Sequence, residues 1–175
     1  MNLKEISVER EKTNELVRFG MILGISAIVP LFHNQLATGP IVNAVLFISA
    51  VILGLEKTLF ICLIPSVIAM SVGLLPPVLA PMVPFIMISN VLMVFVFFYT
   101  KKINYWIAMI SASFAKFIFL YISSFAVVNL VVKKELATAI INMMSWPQLF
   151  TALAGGVLAF FFLKFIGKSG KISTI

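Results

Sequence analysis

The stretch from residue 83 to 100, VPFIMISNVLMVFVFFYT, runs for 18 positions without a charged side chain. As a helix it would be about 27 Å long, close to the roughly 30 Å of hydrocarbon in a bilayer. Five more apolar runs, bounded by charges, prolines and glycines, repeat the pattern at 17–33, 40–55, 58–75, 103–132 and 147–166. Backbone amides in a bilayer have no water to bond, so apolar runs this long are expected to be helices. The whole chain is 62% hydrophobic and 11% charged, against about 45–50% and about 25% in soluble domains. The expected fold is therefore all-α, an integral membrane bundle of six transmembrane helices over 17–166. A cytoplasmic N-terminal segment, 1–16, precedes it, and a cytoplasmic basic tail, 167–175, follows. Alternating charges and no early apolar core argue against a cleaved signal at the N-terminus.

Basic residues orient such a bundle. With the N-terminus inside, ten Lys and Arg fall on the inner side and only Lys133 and Lys134 on the outer side. Both termini are then cytoplasmic, in a multi-pass protein of the cell membrane. The net charge of +7 belongs to topology and the lipid bilayer, not to nucleic acid.

In that topology the polar detail gathers on the outer side. The first outer connection brings His33, Asn34 and Gln35 together. The second, PPVLAPMVP, holds four prolines and leads through Ser89 to Asn90. The third contains Asn142, Trp146 and Gln148. A few polar groups in apolar surroundings suit a small-molecule site, whereas the bland reading is loops with interfacial anchors. Lys116 is the sharpest single residue. It stands about 14 residues beyond Lys102, near mid-membrane, where a lone lysine costs about 2.5–3.5 kcal/mol. Ser113, Lys116 and Ser123 share one helical face. This lysine is either a counter-charge for an anionic ligand group or bonded to a neighbouring helix. Asn43 reads first as an interhelical hydrogen bond, and Glu56–Lys57 as an inner turn.

Gly20 and Gly24 have GxxxG spacing, with Ala27 near the same face. Such a stripe lets another helix approach closely. Ala108, Ala112 and Ala115 form a similar face, and Ala154–Gly155–Gly156 lies in the last span. Cys62 is the only cysteine and reads as a small apolar residue. Pro65 is expected to kink the third span.

No phosphate-binding loop, metal-ligand spacing or nucleophile motif occurs. Four of the six acidic residues precede the first span, leaving Glu56 and Glu135. No cofactor, metal site or catalytic residue is expected, and the chain does not read as an enzyme. The scarcity of carboxylates also disfavours a self-sufficient transporter or channel.

Six spans in about 175 residues, inner termini, elaborated outer connections and a small-residue face in span one together resemble the substrate-binding S components of energy-coupling factor (ECF) transporters. The resemblance implies a membrane-embedded subunit that captures a vitamin or other micronutrient from outside. It also implies a transmembrane coupling subunit and two cytoplasmic ATPases as partners. By position, it places substrate contacts at His33, Asn34, Gln35, Asn90, Lys116, Trp146 and Gln148. The family's alanine-x-x-x-alanine contact in span one falls on Gly20 and Gly24, with Ala27. The alternative is a non-transporting membrane subunit of a larger redox or assembly complex.

Overall fold

Every regular element among the described residues is helical. The computed structural model describes residues 3–131 and 134–168. In chain order the helices are α1 (Leu3–Ile28), α2 (Gln35–Ile52), α3 (Leu55–Ile61), α4 (Ile64–Ser71), α5 (Val83–Thr100), α6 (Tyr105–Val131), α7 (Lys134–Met143) and α8 (Trp146–Lys168). Short 3₁₀ segments at Val29–Phe32 and Pro77–Met82 lie before α2 and α5. Four stretches are long and apolar enough to cross a membrane: Val8–Phe32, Pro77–Thr100, Tyr105–Asn129 and Ala137–Gly167. Ala37–Ile52 is apolar but shorter.

Several expected boundaries shift for physical reasons. The expected third span, 58–75, is two helices. Pro65 has no N–H to give the carbonyl of Ile61, and the helix breaks at Cys62 and Leu63. The expected third outer connection contains a helix, α7, whose Ile140 is buried together with Met144 just beyond its end. Helix α1 continues unbroken across residues 16 and 17. The tail from 169 onward lies outside the described residues.

Helix α2 runs along α8 and α5 along α6 in the two most extensive pairings, which α6 and α8 join together. Glycine makes the first pairing possible. A Cβ at Gly155 would lie 2.6 Å from the Cβ of Asn43 and 2.7 Å from the carbonyl oxygen of Pro40. One at Gly156 would collide with Met109. That near approach also lets the Tyr105 hydroxyl donate to the Gly156 carbonyl at 2.7 Å. Phe47, Phe97 and Tyr105 stack edge to face beside it, in a core filled by Leu46, Ile61, Met93 and Leu163. A second, smaller cluster of Leu79, Met82, Leu120, Ile140 and Met144 seals the proline-rich 3₁₀ segment against α6 and α7.

The two ends of the bundle differ. Lys57, at the start of α3, pairs with Glu15 of α1. Lys101, just past α5, donates to the Ala50 carbonyl near the end of α2 at 2.8 Å. The large core lies toward this basic end. Helix α1 is held mainly through α2 and the broken pair α3–α4, and its Leu16, Val17, Met21 and Ile25 face outward.

Gly155→Ala should force α2 and α8 apart and cost about 1–3 kcal/mol, outweighing the helix-propensity gain of about 1 kcal/mol. Gly24→Ala meets nothing within 4 Å and should be neutral or stabilising. Melting temperatures of the two variants in one detergent check the contrast; equal stability would remove Gly155 from the packing argument.

Candidate ligand-binding site

Lys116 lies midway along α6 and is 3% exposed. An ammonium there has lost its water and must recover hydrogen bonds from protein. Its Nζ donates to Asn43 Oδ1 of α2 at 2.7 Å and to Asn90 Oδ1 of α5 at 2.8 Å. With both oxygens taken, the amide nitrogens point elsewhere. Asn90 Nδ2 donates to the Cys62 carbonyl at 3.3 Å, in the break between α3 and α4. Asn43 Nδ2 donates to Thr151 Oγ1 of α8 at 3.5 Å, and Thr151 Oγ1 donates to the Gln148 carbonyl at 3.1 Å. One charge thus ties together α2, α5, α6, α8 and the broken helix. A lysine has three N–H donors, and two are used here.

Beside this network is a cavity of about 340 Å³. Its polar wall is Thr38, Asn43, Ser66, Asn90, Lys116, Gln148 and Thr151, and the rest is aliphatic, with Val42, Ala69, Leu74, Leu75, Ile86 and Met143. The cavity residues of α2, α5 and α8 lie in the N-terminal halves of those helices, away from Lys57 and Lys101 at the basic end. The Pro30 turn, the Leu74–Leu75 connection and α7 border it. Thr38 Oγ1 is buried there without a hydrogen-bond partner among the described residues. No carboxylate among the described residues lines the space, and none of them form a metal-binding cluster.

Of the residues singled out in the sequence, Asn90, Lys116 and Gln148 come together on the cavity wall. His33, Asn34 and Trp146 are not among the lining residues. Asn34 caps α2, its Oδ1 accepting from the Ala37 N–H at 3.3 Å. Trp146 is 61% exposed and leans on Phe117 and Phe150. The side chain of Gln35 lies outside the described residues. Asn43, read first as an interhelical bond, fills that role and also lines the cavity. Thr38, Ser66 and Thr151 were missed, because short hydroxyls in apolar helices usually bond their own backbone and carry no separate signal.

His33 has a different task. Its ring reaches two carbonyls, Nδ1 to Leu31 at 2.7 Å and Nε2 to Val72 at 2.8 Å, fastening the first connection to the end of α4. Two acceptors require two N–H donors, so the arrangement favours the imidazolium and raises the His33 pKa above its ordinary 6.5.

A family model described as "ECF transporter, substrate-specific component" matches residues 14–170. No curated protein and no solved structure matches the chain.

His33 is the only histidine, so its NMR titration can be read without assignment. The midpoint should lie above 6.5. Because the folded pKa is raised, the contribution to stability is complete below the unfolded pKa and is lost as pH rises through the folded one. His33→Ala should erase that part of the pH dependence of melting; a midpoint at or below 6.5 would break the proposed fastening.

Proposed function

We propose a capture mechanism from one premise: the chain belongs to the substrate-specific components of ECF transporters. It is a membrane-embedded, substrate-binding subunit of an ECF uptake transporter and a multi-pass protein of the plasma membrane. The family works as transporter subunits, alongside the transporter's membrane and ATPase components. That membership sets aside the redox or assembly alternative.

The finer reading is ours. The bundle crosses the membrane six times, with α2 as the second crossing and the broken pair α3–α4 as the third. Both termini are cytoplasmic, and 17–166 is the membrane domain. Lys57, Lys101, Lys102 and Lys164 then mark the inner end, and the cavity opens outward. Substrate enters between the proline-rich 3₁₀ segment, α7 and the turn at His33. Asn90, Lys116 and Gln148 contact it, with Asn43 behind the lysine. His33, Asn34, Gln35 and Trp146 form the outer rim. The observation that carries this reading is a partly polar cavity at the end of the bundle opposite Lys57 and Lys101.

A transmembrane coupling subunit docks on Gly20, Gly24 and Ala27 of α1, and two cytoplasmic ATPases drive it. This support is steric: a Cβ at Gly20 or Gly24 meets no atom of the described residues within 4 Å apart from its own helix, so the stripe is open to another helix. The chain binds a vitamin or similar micronutrient and leaves its energisation to the partners.

Two experiments test the scheme. Cysteines replacing Asn34 or Thr138 should react with an impermeant maleimide on intact cells, while one replacing Ile103 should be protected. The native Cys62 is buried and adds little background. Outside labelling of position 103 would overturn the topology. Gly20→Leu with Gly24→Leu should leave the isolated chain folded and ligand-competent but abolish uptake by the reconstituted complex. Unchanged uptake would remove this face from the docking scheme.

A further inference from the structure

The charge on the cavity wall is unbalanced, and it identifies the class of ligand. Lys116 is the only charged side chain among the described residues lining the cavity. Its two partners, Asn43 and Asn90, are neutral amides. The site therefore carries one uncompensated positive charge within a bundle surrounded by hydrocarbon. A ligand with one negative charge cancels it. A dianion would leave a net negative charge in a low-dielectric site, and a phosphate group would need more donors than one lysine and a few amides supply. A cationic or zwitterionic ligand would bring an ammonium with no carboxylate to meet it.

The rest of the wall describes the ligand's body. Proline, valine, alanine, leucine, isoleucine and methionine provide the apolar surface, and no aromatic ring among the described residues lines the cavity. A flat heterocycle finds no face on which to stack. The volume of about 340 Å³ is near the lower end of ligand pockets, about 300–1,000 Å³, and suits a compact molecule. Thr38 adds a second polar anchor. Its hydroxyl is buried without a partner among the described residues, which is costly unless a ligand or water completes it. Thr38 precedes Asn43 by five residues, roughly 7.5 Å along α2.

We infer that this cavity takes an aliphatic monocarboxylate: one carboxylate on Lys116, a saturated body against the aliphatic wall, and a hydrogen-bonding group toward Thr38. The inference rests on the cavity being the substrate site, as proposed above. On binding, the carboxylate takes the lysine's spare N–H, while Asn43 and Asn90 hold the ammonium in place.

The test is calorimetric titration of the chain in lipid nanodiscs, with empty nanodiscs as the partition control. The probes are 5-cyclohexylpentanoate, its primary amide, the corresponding amine, nonanedioate and the flat heteroaromatic acid quinaldate. The cyclohexyl acid should bind tighter than its amide by about tenfold or more, the scale of a charge-assisted hydrogen bond. It should also exceed the dianion and quinaldate, and the amine should not bind. Lys116→Met should erase the preference for acid over amide. If that variant fails to fold, the wild-type comparison decides alone. Amide or amine binding as tight as the acid overturns the inference. So does a cation, dianion or flat heterocycle extracted in stoichiometric amount from the purified chain. A chain that assembles with its coupling subunits yet binds none of the acids refutes the ligand class and spares the capture mechanism. One that neither assembles nor binds refutes both.

Discussion

One positive charge without water governs the arrangement of this bundle. An ammonium at mid-membrane is tolerable only if neighbouring helices supply oxygen atoms within bonding distance. Two asparagines on different helices do so, and each passes its remaining hydrogen-bonding capacity onward, one to the Cys62 carbonyl and the other to Thr151. Interhelical hydrogen bonds in membranes contribute only about 0.6–2 kcal/mol each. Their value here lies in direction as much as strength, because they fix the register of five helical segments around one atom. Breaking any link returns a buried polar group to hydrocarbon.

The break between α3 and α4 follows the same logic. Pro65 interrupts the helix and frees backbone carbonyls that a continuous helix would consume. Asn90 takes the one at Cys62. The interruption thereby becomes a hydrogen-bonding site, in keeping with the rule that irregular backbone at membrane depth survives only where protein or a cavity surrounds it. Below that level Gly155 and Gly156 draw α8 onto α2 and α6 in a dense aromatic and aliphatic layer. The hollow lies on the other side of that layer, among the N-terminal halves of α2, α5 and α8.

Sequence periodicity located α5 and α6 almost to the residue, because long apolar runs must satisfy their backbone as helices in a bilayer. It missed α7, whose Ile140 falls at helical spacing from Met144 within a stretch that its Lys, Glu and Asn residues mark as a connection. It marked Lys116, since a lone charge in an apolar run must be functional or compensated. The contacts that compensate it pair residues 26 and 73 positions away, separations that no local pattern encodes. The same blindness affected the glycines. The GxxxG spacing at Gly20 and Gly24 matched a motif, yet these residues are open within the chain. Gly155 and Gly156 carry the intramolecular approach. Sequence shows that a helix has a smooth face but not which helix will meet it.

The short helix α4 has a further consequence for how such a protein diverges. Ser66, Ala69 and Leu74, on α4 and the connection after it, help to form the cavity wall and belong to neither hydrophobic cluster. Substitutions there reshape the hollow without touching the glycine seam or the lysine's two amides. Under the proposed capture mechanism, cargo preference is thus separable from structural integrity. A lineage can drift from one molecule to another through a handful of wall residues while the membrane scaffold, and the surfaces it presents to other subunits, stay as they were.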